Sequence, residues 1–206
     1  GFMEAYDGTM EEGDMFLTTD PYSCNGAISH VNDWLLLRPI YKDGRLISYA
    51  AMFGHMTDVG GKVPGSLPTD ASQIFEEGIR VPPIKIYKND ELQEEILELI
   101  LNNCRLPHWN RSDFNAIVAA IRMAEKRVLE MAERFGDDIY YSALEELLDR
   151  NKTAMGKLIT NTVPTEKQYF EDYICDDGLG MGPYKIKCAM WRQGKKVIFD
   201  FEGTDP

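Results

Sequence analysis

Three histidines are all that the 206 residues contain, and the four cysteines, Cys24, Cys104, Cys175 and Cys188, stand far apart with no C-x-x-C pair. That scarcity excludes a zinc knuckle and a small disulfide scaffold, and the cysteines read as reduced thiols of a cytoplasmic protein. Cations are also few: 22 Lys and Arg against 34 Asp and Glu leave a formal charge of -12. Phosphate binding needs clustered basic residues, so no nucleic acid and no anionic membrane surface is expected as a partner. No apolar run approaches the ~20 residues that cross a bilayer. The opening GFMEAYDGTMEEGDM is acidic and lacks the apolar core of a signal peptide.

What is present is 44% hydrophobic residues, enough for one substantial core, with a period that changes twice. Residues 14–18, 34–41 and 46–53 read as strands, the last two joined as a hairpin through Asp43-Gly44. Pro82-Pro83 forbids a helix there. Asp90 is placed to cap a helix over 91–103, with Leu92, Ile96, Leu99 and Ile100 on one face. A longer helix starts at Ser112 or Asp113 and ends at Gly136. It is expected to bury Ile117, Ile121 and Val128 and to leave Glu125, Lys126 and Arg134 in solvent. A third helix follows Ser142 and presents Leu144, Leu147, Leu148, Met155, Leu158 and Ile159 inward. Strands return at 169–175, 184–191 and 196–201. The expected class is α+β: a β-rich N-terminal part with a hairpin, central helices, and C-terminal antiparallel strands. Residues 1–206 read as a single fragment of a larger protein, truncated at both ends.

Chemistry concentrates where two of the histidines fall beside carboxylates, in SHVND and GHMTDVGG. His30, Asp33 and His55 offer two imidazoles and a carboxylate, a set that holds a divalent metal with coordination positions left open. A helical turn would bring residues three apart onto one side, whereas a strand would oppose them, so a shared site requires a turn at 29–33. Spacing leaves a plainer alternative open, in which His55 pairs with Asp58 and His30 caps a helix. His108, in LPHWN without an acidic neighbour, reads as a satisfied loop histidine. DDGLGMGP at 176–183 has the glycines of a phosphate loop, but it lacks the Lys-Ser/Thr ending and carries two carboxylates, so it reads as a hairpin loop.

TDPY at 19–22, HVND at 30–33, GHMTDVGG at 54–61, PGS at 64–66, IFEEGIRVPPIKIY at 74–87 and DFEGTDP at 200–206 resemble, in that order, the hydantoinase B family. That family includes subunits or domains of ATP-dependent hydantoinases, oxoprolinases, and acetone and acetophenone carboxylases. The resemblance implies that His30, Asp33 and His55 are metal ligands, for manganese first and zinc or iron otherwise. It implies a partner subunit of the hydantoinase A type that binds ATP and Mg, hence a hetero-oligomer. The SHVNDW and GHMTD forms, with LPHWN, look closer to the ketone carboxylases, which join a phosphorylated enol to activated bicarbonate. A cyclic amide hydrolase is the alternative, and an inactive structural or assembly domain is a third. Asp58 enters as a catalytic residue, either orienting His55 or accepting a proton near the metal.

Overall fold

The computed structural model describes all 206 residues, and they form two compact units, 1–134 and 135–206. No Pro- or Gly-rich linker marks the boundary, so the sequence by itself reads as one piece.

In the first unit a short helix, α1 (Phe2–Ala5), precedes β1 (Met15–Thr18), whose four residues are all buried. Such an unbroken apolar run suits a strand flanked on both sides. β1 is indeed central in an antiparallel sheet with β2 (Asp33–Lys42), β3 (Arg45–His55), β4 (Ile84–Lys88) and β5 (Glu91–Leu92), ordered β3-β2-β1-β4-β5. Asp43 and Gly44 have φ of 51° and 72°, the type I′ geometry that fixes the β2–β3 register by pairing Lys42 with Arg45. Two helices follow, α2 (Glu94–Leu101) and α3 (Pro107–Phe135).

α3 covers one face of the sheet. Phe114 meets Trp34 edge-on and stacks with Tyr87, each at 6.4 Å between ring centroids, and Gly54 leaves room for the Ile117 side chain. The buried Arg38 lies on the same face as Trp34 by strand alternation, with Nε 2.8 Å from Glu125 and a terminal nitrogen 2.9 Å from Asp90. The other face carries Phe16 under Phe2 and Tyr6.

Several expectations shift here. Asp90 caps nothing: with φ of 62° it forms the tight turn between β4 and β5, and α2 begins after Gln93. α2 consequently buries Leu97, Ile100 and Leu101, while Leu99 is exposed. α3 begins at Pro107, because a proline needs no helical partner for its missing N–H in the first turn. His108 is therefore helical rather than in a loop. Ile117 and Ile121 are buried as expected, but Val128 is only half-buried. Glu125 is drawn out of solvent by Arg38.

The second unit holds α4 (Asp137–Thr162) and a meander of β6 (Gln168–Ile174), β7 (Tyr184–Gln193) and β8 (Lys196–Asp200). α4 starts directly after Gly136, six residues before the expected position. Of its expected inward set only Ile159 is half-buried; Leu144, Leu147, Leu148, Met155 and Leu158 are exposed. The meander supports only the last turns of the helix, where Lys195 lies on Gly156 and Arg192 donates to the Val163 carbonyl. The rest of the stripe is exposed.

Candidate metal centre

The backbone brings His30, Asp33 and His55 together by two local devices. A turn over 30–33, closed by Asp33 N–H donating to the His30 carbonyl at 3.2 Å, places the first histidine and the carboxylate on one side. Across the hairpin, Asp33 is the ladder partner of His55. The neighbouring pair, Asn32 and Met56, carries the hydrogen bond, Met56 N–H to the Asn32 carbonyl at 2.8 Å. Asp33 and His55 are therefore a non-hydrogen-bonded pair, the type whose side chains come closest. Alternation along β2 turns them away from Trp34 and α3. Asn32, inside SHVND, is fully buried and ties the two segments again by donating to the Met56 carbonyl at 3.1 Å.

The two oxygens of Asp33 divide between the rings. Oδ2 lies 3.1 Å from His30 Nε2, Oδ1 lies 3.1 Å from His55 Nδ1, and the ring centroids are 4.8 Å apart. Asp33 is buried, whereas the two histidines keep side-chain exposures of 29% and 44%. One donor atom from each residue falls within 4.8 Å of the other two. Ligands about 2.1 Å from a common ion sit roughly 3.0–3.4 Å apart in octahedral or tetrahedral arrangements, so the two 3.1 Å separations, one to each Asp33 oxygen, already match, and the donors, which lie within 4.8 Å of one another, reach the rest of that range by rotation of the rings. The donor set fits a divalent metal, with the solvent side of both rings free for further ligands.

Asp58 does not join them. Its buried carboxylate accepts from Gly60 N–H at 2.9 Å, Gly65 N–H at 2.8 Å and Arg105 N–H at 3.2 Å, and from the Arg105 guanidinium at 3.2 Å. The same guanidinium donates to the carbonyls of Gly60, Gly61 and Val63 at 2.7–3.0 Å. Ser66 Oγ accepts from Val59 N–H at 2.8 Å and donates to the Gly60 carbonyl at 2.7 Å, closing the loop from within. Burial by itself would raise the Asp58 pKa, but the three backbone N–H groups and the Arg105 guanidinium outweigh it and hold the carboxyl below its ordinary value. His55 is oriented by Asp33, not by Asp58. Arg105 is the residue that sequence reading missed; nothing in its local pattern reveals a partner 47 positions away. His108 lies exposed on α3 and is not among the three converging donors.

The hydantoinase B/oxoprolinase model matches residues 1–206. The chain belongs to that family. It is 31% identical over 186 residues to caprolactamase subunit beta of Pseudomonas jessenii, covering 90% of this chain and 31% of that protein. It is 26% identical over 207 residues to the acetophenone carboxylase delta subunit of Aromatoleum aromaticum, covering 99% of this chain and 30% of that subunit. The crystal structure of the ATP-dependent caprolactamase from Pseudomonas jessenii superposes with a TM-score of 0.86 at 28% identity, over 97% of this chain and 34% of that one. The chain thus spans about a third of the length of these relatives.

Proposed function

We infer that this chain is the metal-holding part of an ATP-dependent enzyme that acts on a carbonyl compound activated by phosphorylation, with a cyclic amide as the first substrate class and hydrolysis as the reaction. The observation that carries the reading is the convergence of His30, Asp33 and His55 on one side of the β2–β3 hairpin. A divalent metal held there supplies a Lewis acid that polarises oxygen and lowers the pKa of water. The chain's own residues do the positioning. Asp33 lies 3.1 Å from each imidazole, through separate oxygens, and so sets the place where the donor atoms of all three residues gather. Neither ring is shut off from solvent, which leaves reactants an approach. Asp58 and Arg105 hold residues 58–65 rigid behind His55 and take no proton.

The relationship to caprolactamase subunit beta supports the cyclic-amide reading. The relationship to the acetophenone carboxylase delta subunit supports the second reading, in which the same site receives a phosphorylated enol and activated bicarbonate. In either case ATP and Mg belong to a hydantoinase A-type partner subunit, and manganese is the first choice for the metal, with zinc or iron as alternatives.

The test uses the full-length complex purified without added metal. Elemental analysis reads the bound ion, and ATP turnover is compared with a lactam, with a hydantoin, and with acetophenone plus bicarbonate. Lactam- or hydantoin-driven turnover that ceases when the metal is stripped supports the first reading. Turnover that requires both ketone and bicarbonate transfers the assignment to the second, and a metal-free complex that is fully active overturns both.

A further inference from the structure

Asp33 and His55 share their face of the hairpin with an apolar strip. Farther along the ladder Leu35 is the partner of Phe53 and Leu37 of Ala51, and strand alternation points all four the same way as Asp33 and His55. Leu35 and Phe53 stand two positions from a non-hydrogen-bonded pair and so form another, the kind whose side chains come closest. Phe53 is 55% exposed, Ala51 is exposed, and Leu35 and Leu37 are half-buried. Towards β1 the face is closed, because Thr18, the ladder partner of Leu35, is fully buried. The open strip is thus confined to β2 and β3, and it adjoins the ligand set.

Edge strands are normally blunted with charge, yet β3, at the edge of the sheet, carries no charged residue between Arg45 and His55. A single exposed apolar side chain needs no explanation, whereas a contiguous patch beside polar ligands marks a surface made to be covered. The cover is not α3, which packs on the opposite face against Trp34. No Lys or Arg of β2 or β3 shares this face between the Asp33–His55 pair and Tyr41, so a charged group laid on the strip meets no counter-ion from either strand. The complementary ligand is an uncharged apolar body joined to a group that reaches the imidazoles. Positions two apart on a strand are separated by about 7 Å, a span that a small ring bridges from Phe53 to His55.

Resting on the cyclic-amide reading above, we propose that Phe53 and Leu35 form the subsite for the apolar body of the substrate: the methylenes of a phosphorylated lactam lie on these two side chains while its phosphorylated end faces His30 and His55. The contact asks nothing of the ring nitrogen, so it survives activation of the carbonyl. It holds the activated ring at the ligands until the ring opens. Because apolar contact grows with each methylene and a carboxylate would be desolvated here without a partner, the preferred class is the larger unsubstituted lactam rather than a ring that carries a carboxylate.

The experiment uses the full-length complex with ε-caprolactam and 2-pyrrolidinone as probes and measures ring-opened product and ATP consumed together, so that the phosphorylation assigned to the partner serves as an internal reference. Phe53→Ala shifts the partition of spent ATP from ring-opened product towards bare phosphate release by about 10–20-fold with ε-caprolactam, the worth of about two methylenes leaving apolar contact. The shift is smaller with 2-pyrrolidinone, whose ring has fewer methylenes. Phe53→Leu keeps an apolar surface and loses less. Met52→Ala, at a position 43% exposed on the opposite face, leaves the partition at the wild-type value. Metal content by elemental analysis and Tm stay at wild-type values in all three variants. An unchanged partition in Phe53→Ala, an equal shift in Met52→Ala, or a loss that tracks missing metal, a lowered Tm or separation of the subunits overturns the subsite alone, the last two because they would show that protein covers the strip. Failure of the wild-type complex to turn over any cyclic amide overturns the functional reading and the subsite with it.

Discussion

Asp33 and His55 face each other across a non-hydrogen-bonded position of the β2–β3 ladder, Oδ1 to Nδ1 at 3.1 Å, while the second oxygen of the same carboxylate holds His30. One buried acid thus stands between a half-buried and an exposed imidazole, and the charge of the site rests on it.

Asp33→Asn removes the only anionic donor of the three and makes any bound metal site one unit more positive. Metal affinity in the full-length complex falls by at least about 10–100-fold, the range seen when even supporting residues of metal sites are lost. Product formation falls with metal content, and ATP consumption persists in part, because the nucleotide is assigned to the partner. Parallel measurement of elemental content, ATP hydrolysis and product reads the uncoupling; a variant with full metal content and full product formation contradicts the ligand assignment.

Asp58 carries an acid-stability prediction. Its folded-state pKa lies below the unfolded value of about 3.9, so the stability it contributes is complete above that value and is lost as pH falls through the folded one. Asp58→Asn removes the charge from the buried acceptor of three backbone N–H groups and of the half-exposed Arg105 guanidinium and costs about 1–3 kcal/mol at pH 7, the worth of hydrogen bonds to a charged group. The gap between wild type and variant narrows below pH 4. Urea unfolding of both proteins at pH 7 and below pH 4 measures it, and a pH-independent gap would sink the assignment.

Gly61→Ala places a methyl group 2.4 Å from the Glu76 carbonyl oxygen at a φ that alanine disfavours. Lys62 N–H donates to the Glu76 carbonyl at 2.7 Å and Ile79 N–H to that of Val59 at 3.1 Å, which straps 76–79 to 59–62. The strap between 59–62 and 76–79 must shift, so the variant loses at least about 1 kcal/mol of stability. Gly44→Ala, where a Cβ meets nothing within 4 Å, has the turn strain without the clash and loses less. Thermal melts of the two variants separate backbone strain from the clash, and equal losses would contradict the strap.

Leu148 and Ile121 sit in the apolar stripes of their helices and differ in cover. Leu148→Ser, at 70% exposure on α4, changes the stability of this chain by under about 0.5 kcal/mol, whereas Ile121→Ala, at 1% exposure on α3, costs about 2–4 kcal/mol. Denaturant titration of the 206-residue chain checks both, and a large loss for Leu148→Ser would mean that the α4 stripe is packed.

The hairpin, the turn at 30–33 and the long helices were legible in the sequence because each depends on neighbours a few residues apart. Asp43-Gly44 dictates a type I′ turn, period 3.6 marks α3, and the spacing of His30 and Asp33 admits a shared site only on a turn. Register then delivers His55 to Asp33 without further instruction. The pairing of Asp58 with Arg105 instead of His55 and the burial of Glu125 by Arg38 were decided by tertiary structure. Each joins segments separated by tens of residues, and local periodicity carries no information about such contacts. The exposed stripe of α4 is the converse case: its pattern asks for cover, but burial requires a neighbouring surface, and only the fold determines whether one is there.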